Sequence, residues 1–146
     1  MPPISILFKG KRKKPHMKAL IGIDVSGSIS DDNIEEFLSE IKYLMADHGA
    51  EVEVAFFDTK ITDKFLLKNI TDMKKITKAS GRGGTSFEEL FEYAEKEKAK
   101  EVIVFTDGCG DQDSMKKPPN WMRVWWICND EGPTFPFGRV FRMKSR

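Results

Sequence analysis

The chain has 146 residues, and 24 Lys+Arg against 23 Asp+Glu leave a formal net charge of +1. With 40% hydrophobic and 32% charged residues it can bury a core of one domain, which excludes general disorder. No apolar stretch approaches the roughly 18–20 residues that cross a bilayer, and Lys9 to Lys14 breaks any leader-like apolar region near the start, so neither a membrane helix nor a secretory signal is expected.

Two cysteines, Cys109 and Cys128, are too few for a disulfide scaffold, so a cytoplasmic domain is expected. The charge is uneven. Residues 1–23 carry six cations and no acid, so the remaining 123 residues hold −5 of the total +1. This basic segment, residues 1–17 with Pro2-Pro3 and Pro15, reads as a linker or tail ahead of a folded domain over 18–146; a nucleic-acid arm is the alternative.

From Ala19 the chain alternates apolar runs with helical periods. Ala19-Leu20-Ile21-Gly22-Ile23 ends in Asp24 and predicts a first strand apolar on both faces, as in a parallel sheet covered on two sides. Ser30 as N-cap, with Asp31-Asp32 in the first turn, opens a helix whose stripe is Ile34, Phe37, Leu38, Ile41, Leu44 and Met45, stopped near Gly49. Val52 to Phe57 is a second strand ending in Asp58. Phe65-Leu66-Leu67 reads as a short strand, and Asp72 to Lys78 is ambiguous. Ser86-Phe87-Glu88-Glu89 fits a capping box and opens a second helix with the stripe Phe87, Leu90, Phe91 and Ala94. Val102 to Phe105 is a strand ending in Thr106-Asp107. Residues 111–120 read as a short helix or loop closed by Pro118-Pro119. Val124 to Cys128 is a further strand, in which at least one of Trp125 and Trp126 faces the core. Phe135 and Phe137, beside Pro133 and Pro136, are expected to pin a last strand over Gly138 to Met143.

Strand–helix alternation with short connections predicts a doubly wound, Rossmann-like α/β sandwich, with a mostly parallel sheet of about six strands and helices on both faces. Such sheets bind ligands at the C-terminal strand ends where strand order reverses. Three segments fall there. Asp24-Val25-Ser26-Gly27-Ser28 places polar residues at i, i+2 and i+4 after the first strand. Gly81-Arg82-Gly83-Gly84-Thr85 presents Thr85 just before the second helix. Thr106-Asp107-Gly108 closes another interior strand. Together Asp24, Ser26, Ser28, Thr85 and Asp107 form an all-oxygen set without His or Cys, matching a hard cation such as Mg²⁺ rather than zinc. Each segment alone is also an ordinary turn or helix entry; the information lies in the triple.

Asp24-Val25-Ser26-Gly27-Ser28, Thr85 and Asp107 resemble the metal-ion-dependent adhesion site of von Willebrand factor A (VWA) domains. Gly83-Gly84-Thr85, Phe105-Thr106-Asp107-Gly108 and Pro136-Phe137-Gly138-Arg139-Val140 are similar to the bacterial VWA-like domain found behind a metallopeptidase-like half. The resemblance spans about residues 18–143. It implies a Mg²⁺, with Mn²⁺ or Ca²⁺ as alternatives, ligated directly by Ser26, Ser28 and Thr85 and partly through water by Asp24 and Asp107. It also implies a partner protein that offers an Asp or Glu to the metal, and it extends to systems built on AAA+ ATPases of the MoxR kind. Ser86 stands where many relatives have an acidic or amide residue. No His-Glu-x-x-His occurs, so peptidase activity does not carry over, and the chain reads as an excised domain or a stand-alone relative.

Asp58 and Ser86 are candidates for the rim of the site, with a plain turn aspartate as the other reading of Asp58. Cys109 reads as incidental, and His16 and His48 as outside any ligand set. The rival function is a Mg²⁺-dependent hydrolase of the phosphoryl-transfer, haloacid dehalogenase type. Such enzymes carry a second Asp two residues after the first, where Ser26 stands. A dinucleotide site is excluded because Gly81 to Gly84 does not give G-x-G-x-x-G after an apolar strand.

Overall fold

The computed structural model describes residues 19–26, 30–48, 52–69, 71–72, 76, 83–108, 115–128 and 133–142. The basic segment 1–17, Ser28, Gly81, Arg82, Cys109 and residues 111–114 lie outside them, as do the side chains of Leu44, Met45 and His48.

Eight elements follow in order: β1 (Ala19–Asp24), α1 (Asp31–His48), β2 (Val52–Phe57), β3 (Ile61–Leu67), α2 (Glu88–Lys96), β4 (Glu101–Thr106), β5 (Arg123–Cys128) and β6 (Arg139–Arg142). The six strands make one sheet in the order β3-β2-β1-β4-β5-β6. Only the β2–β3 pair is antiparallel. Its connection, Asp58 to Lys60, is too short for the crossover that a parallel pair needs. β3 is longer than the Phe65–Leu67 run. As an edge strand it is half exposed along most of its length, so its first residues lack an apolar signal.

The pleat sorts the apolar strands into two cores. Ile21, Ile23, Val54, Phe56, Ile103, Phe105, Trp125 and Ile127 point to one face, where Ile34, Phe37 and Ile41 of α1 cover them. Leu20, Ala55, Phe57, Val102, Val104, Val124 and Trp126 point to the other, under Phe87, Leu90, Phe91 and Ala94 of α2. Trp125 and Trp126 thus both enter cores, on opposite faces. Trp125 donates its indole N–H to the buried Glu101 at 2.8 Å, and Trp126 donates to the Phe137 carbonyl at 2.9 Å. Phe135 stacks on Trp126 with centroids 4.4 Å apart, so this aromatic pair ties the segment before β6 to the sheet.

Ser30 caps α1 as expected: its hydroxyl accepts the Asn33 N–H at 3.1 Å, and the Asn33 amide oxygen accepts the Ser30 O–H and N–H in return. At α2 the return half of the expected capping box is given up, since the Ser86 N–H goes to the Asp58 carbonyl. Phe87 holds the N-cap position without a side-chain cap, and the Glu89 carboxylate instead accepts the Ile61 N–H at 3.0 Å. That bond joins α2 to the start of β3, a long-range demand that local spacing does not reveal. Residues 115–119 carry no helix; Met115 and Met122 contribute their side chains to the α2-side core. Among the described residues no helix is long and apolar enough to cross a membrane.

Gly22 of β1 faces α2, and a Cβ there would come within 2.4 Å of the Leu90 side chain. The missing side chain therefore sets how closely the helix packs. Gly22→Ala should cost about 1–3 kcal/mol in denaturant unfolding, and less once Leu90 is also cut to Ala. Equal costs in both backgrounds would show that this contact does not set the spacing.

Candidate functional site

Strand order reverses between β1 and β4: β1 leads outward to β2, and the chain returns past β1 to β4. Asp24 ends β1 at this switch point and is fully buried. The chain beyond it is pinned, because the Val25 N–H donates to the Phe57 carbonyl at 2.8 Å. Ile23 pairs with Phe105, so Thr106, the next residue of β4, falls beside Asp24.

The Asp24 carboxylate is held from two sides. Oδ2 accepts the Thr106 hydroxyl at 2.7 Å. Oδ1 accepts the Ser26 N–H at 2.8 Å and lies 3.5 Å from the Thr85 hydroxyl. Thr106 in turn accepts the Gly108 N–H at 3.0 Å, which leaves its hydroxyl proton directed at Asp24. Gly108 has φ +82°, and a Cβ there would meet Pro133 at 2.3 Å, so the turn after β4 needs glycine.

Asp24, Ser26, Thr85 and Asp107 thus converge on one edge of the sheet; Ser28 lies outside the described residues. Ser26 and Asp107 are nearly buried, and Thr85 is half-buried. Burial pushes the Asp24 carboxyl above its ordinary value. The Thr106 hydroxyl and the Ser26 hydroxyl and amide pull it partly back, and the like charge of Asp107 adds to the rise. Thr106 carries no role in the sequence reading. Its signal there is a hydroxyl at the end of an otherwise apolar interior strand.

Asp58, only 8% exposed, follows β2. Its Oδ1 accepts the Lys60 N–H and its Oδ2 the Gly83 N–H, both at 3.2 Å. Burial alone would raise its pKa, but these and neighbouring backbone amides outweigh it and hold the carboxyl below the ordinary value. Ser86 is half-buried and donates its N–H to the Asp58 carbonyl at 2.8 Å.

Among the described residues no three His, Cys, Asp or Glu side chains group as a metal cluster. A cation on this edge would therefore draw on the hydroxyls of Ser26 and Thr85 beside the carboxylates. The donor set fits a hard ion: every donor is oxygen, and a cation would offset the buried charge of Asp24, which Asp107 also disfavours.

The six-stranded, mostly parallel α/β sheet is of the Rossmann-like kind on which VWA-like domains are built. The chain belongs to the VWA-like domain (DUF2201) family, whose sequence profile matches residues 19–144. Such domains are generally protein-interaction modules and typically non-catalytic. Among solved structures the chain is similar to the conserved hypothetical protein BatB from Bacteroides thetaiotaomicron, with a TM-score of 0.58 at 15% identity. The match covers 77% of this chain and 66% of BatB, just under two thirds of that chain, and at this identity it shows the fold. No curated protein matches.

Because folding raises the Asp24 pKa above its unfolded value, ionised Asp24 costs the metal-free protein stability. This contribution is most favourable below about pH 4 and is lost as pH rises through the folded-state value. In EDTA, Asp24→Asn should therefore melt a few degrees above the wild type at neutral pH, and the gap should narrow as the pH falls toward 4. A variant that melts lower at every pH would show that the carboxylate is not a burden to the apo fold.

Proposed function

We propose that this domain is a metal-dependent protein-recognition module, in which Asp24, Ser26, Ser28, Thr85 and Asp107 hold one Mg²⁺, replaceable by Mn²⁺ or Ca²⁺, that takes an Asp or Glu carboxylate from a partner protein. The observation that carries this reading is the placement of Asp24. Its Oδ1 faces both Ser26 and Thr85, while its charge is buried, with Asp107 near enough to add to the cost.

The residues divide the work. Thr106 fixes one carboxylate oxygen of Asp24, so the other can be turned only toward Ser26 and Thr85. Hydroxyl donors bring polarity without full charge, so the neutralising charge comes from Asp24 and Asp107 at the back of the site. The bound cation supplies an electrophilic centre with an exchangeable position open to a partner carboxylate. Ser26 stands where a phosphoryl-transfer hydrolase of the haloacid dehalogenase type would carry its second Asp, which favours binding over turnover. The proposed partner chemistry extends to AAA+ systems of the MoxR kind, and the proposed compartment is the cytoplasm.

The test is calorimetric Mg²⁺ titration of the wild type and of the Asp24→Ala, Ser26→Ala double variant. The wild type should bind one Mg²⁺, and the variant none, with its far-UV spectrum retained. Capture from native cells should yield an acidic-loop partner with Mg²⁺ that EDTA removes. Unchanged titration in the variant would refute the assignment.

A further inference from the structure

We infer that Asp58 is a positioning residue for Thr85, fixing the loop before α2 so that the Thr85 hydroxyl stays against Asp24. The inference rests on the metal reading above and names the device that sets the site's geometry. Asp58 first closes a turn on itself: its N–H donates to the Lys60 carbonyl at 3.0 Å, and its Oδ1 accepts the Lys60 N–H at 3.2 Å. The carboxylate is thereby immobilised at the end of β2. Its second oxygen accepts the Gly83 N–H at 3.2 Å, and its carbonyl accepts the Ser86 N–H at 2.8 Å.

These two amides lie on either side of Thr85, two residues before it and one after. One buried residue thus brackets Thr85 from across 25 positions of sequence. The approach is close: a Cβ at 83 would stand 3.1 Å from Asp58 Oδ2, so a side chain there would push on this contact. The Glu89 carboxylate, accepting the Ile61 N–H, fastens the first turn of α2 to the same hairpin. A turn aspartate that served only its own loop would stop at Lys60. The bond to Gly83 has a further consequence. Thr85 belongs to no strand or helix, so its hydroxyl is held in place by what clamps its neighbours.

The experiment combines Mg²⁺ titration with amide hydrogen exchange in EDTA on full-length wild type, Asp58→Asn, Thr85→Ala and the double variant, with Gly83→Ala as a milder change to the same contact. Asp58→Asn should speed exchange at Gly83 and Ser86 while Phe91 inside α2 is unchanged, and should weaken Mg²⁺ about 10- to 100-fold, the usual effect of losing a group that orients a ligand. In the Thr85→Ala background it should cost almost nothing further, because Asp58 acts through Thr85. Gly83→Ala should weaken Mg²⁺ in the same direction and decides the matter if Asp58→Asn does not fold. Equal losses in both backgrounds, or unchanged exchange at Gly83, overturn the inference. A wild type that takes up no Mg²⁺ overturns the metal reading instead, and the exchange data then decide separately whether Asp58 holds the loop.

Discussion

A carboxylate buried at the middle of the sheet's C-terminal edge is the constraint around which this protein is organised. Asp24 has no access to water, and an ionised group there is costly unless polar neighbours replace its hydration. Those neighbours come from three separate segments. Ser26 belongs to its own loop, Thr106 to the adjacent strand, and Thr85 to the entry of α2. The dependence continues outward, because the Thr106 hydroxyl is oriented by the Gly108 N–H and Gly108 lies against Pro133. From Pro133 the chain runs directly into the Phe135 ring that stacks on Trp126. The edge of the sheet and the core under α2 are thus one connected structure.

The two cores are built by different means. α1 covers its face with a long amphipathic helix, whose buried residues fall three and four apart. α2 spans only Glu88–Lys96, and the rest of its face is filled by side chains from irregular connections: Met115 and Met122 before β5, Phe135 and Phe137 before β6. Pro118, Pro119, Pro133 and Pro136 in these connections disfavour helix, since proline lacks the N–H that helix interiors require. Large apolar side chains hung on loops do the covering instead. A parallel sheet needs both faces shielded, but what shields them need not be helical.

That difference decides what the sequence revealed. Strands β1, β2, β4 and β5 were legible because they are buried on both faces and are mostly apolar, with Glu53 the one interior interruption. Ser30 was legible because its cap is local, closed by Asn33 within one turn. At Ser86 the return half of the expected capping box was lost for the opposite reason: Glu89 and the Ser86 amide are committed to residues of the β2–β3 hairpin, far away in sequence. β3 was legible only at its apolar end, because a half-exposed edge strand has weak alternation. The loop set was visible as three oxygen-bearing segments at strand ends. Thr106 lies in one of them, but its part follows only from the Ile23–Phe105 register that places it beside Asp24. Asp58 was visible as a residue, while its partners at Gly83 and Ser86 were not.

The arrangement of charge and hydroxyls also bears on how such a site would work. Burial disfavours the charge on Asp24, and the nearby Asp107 carboxylate adds a smaller penalty of the same sign. A cation there would relieve both costs, so ion binding and fold stability would be linked through the same residue. Hydroxyl donors add little charge of their own, and an ion held largely by them would remain attractive to an external carboxylate. The strength of that attraction would depend on keeping the hydroxyls in place, because a loosely held Thr85 would spend binding energy on ordering itself. Stiffness supplied from the neighbouring hairpin would therefore appear at the metal edge as affinity.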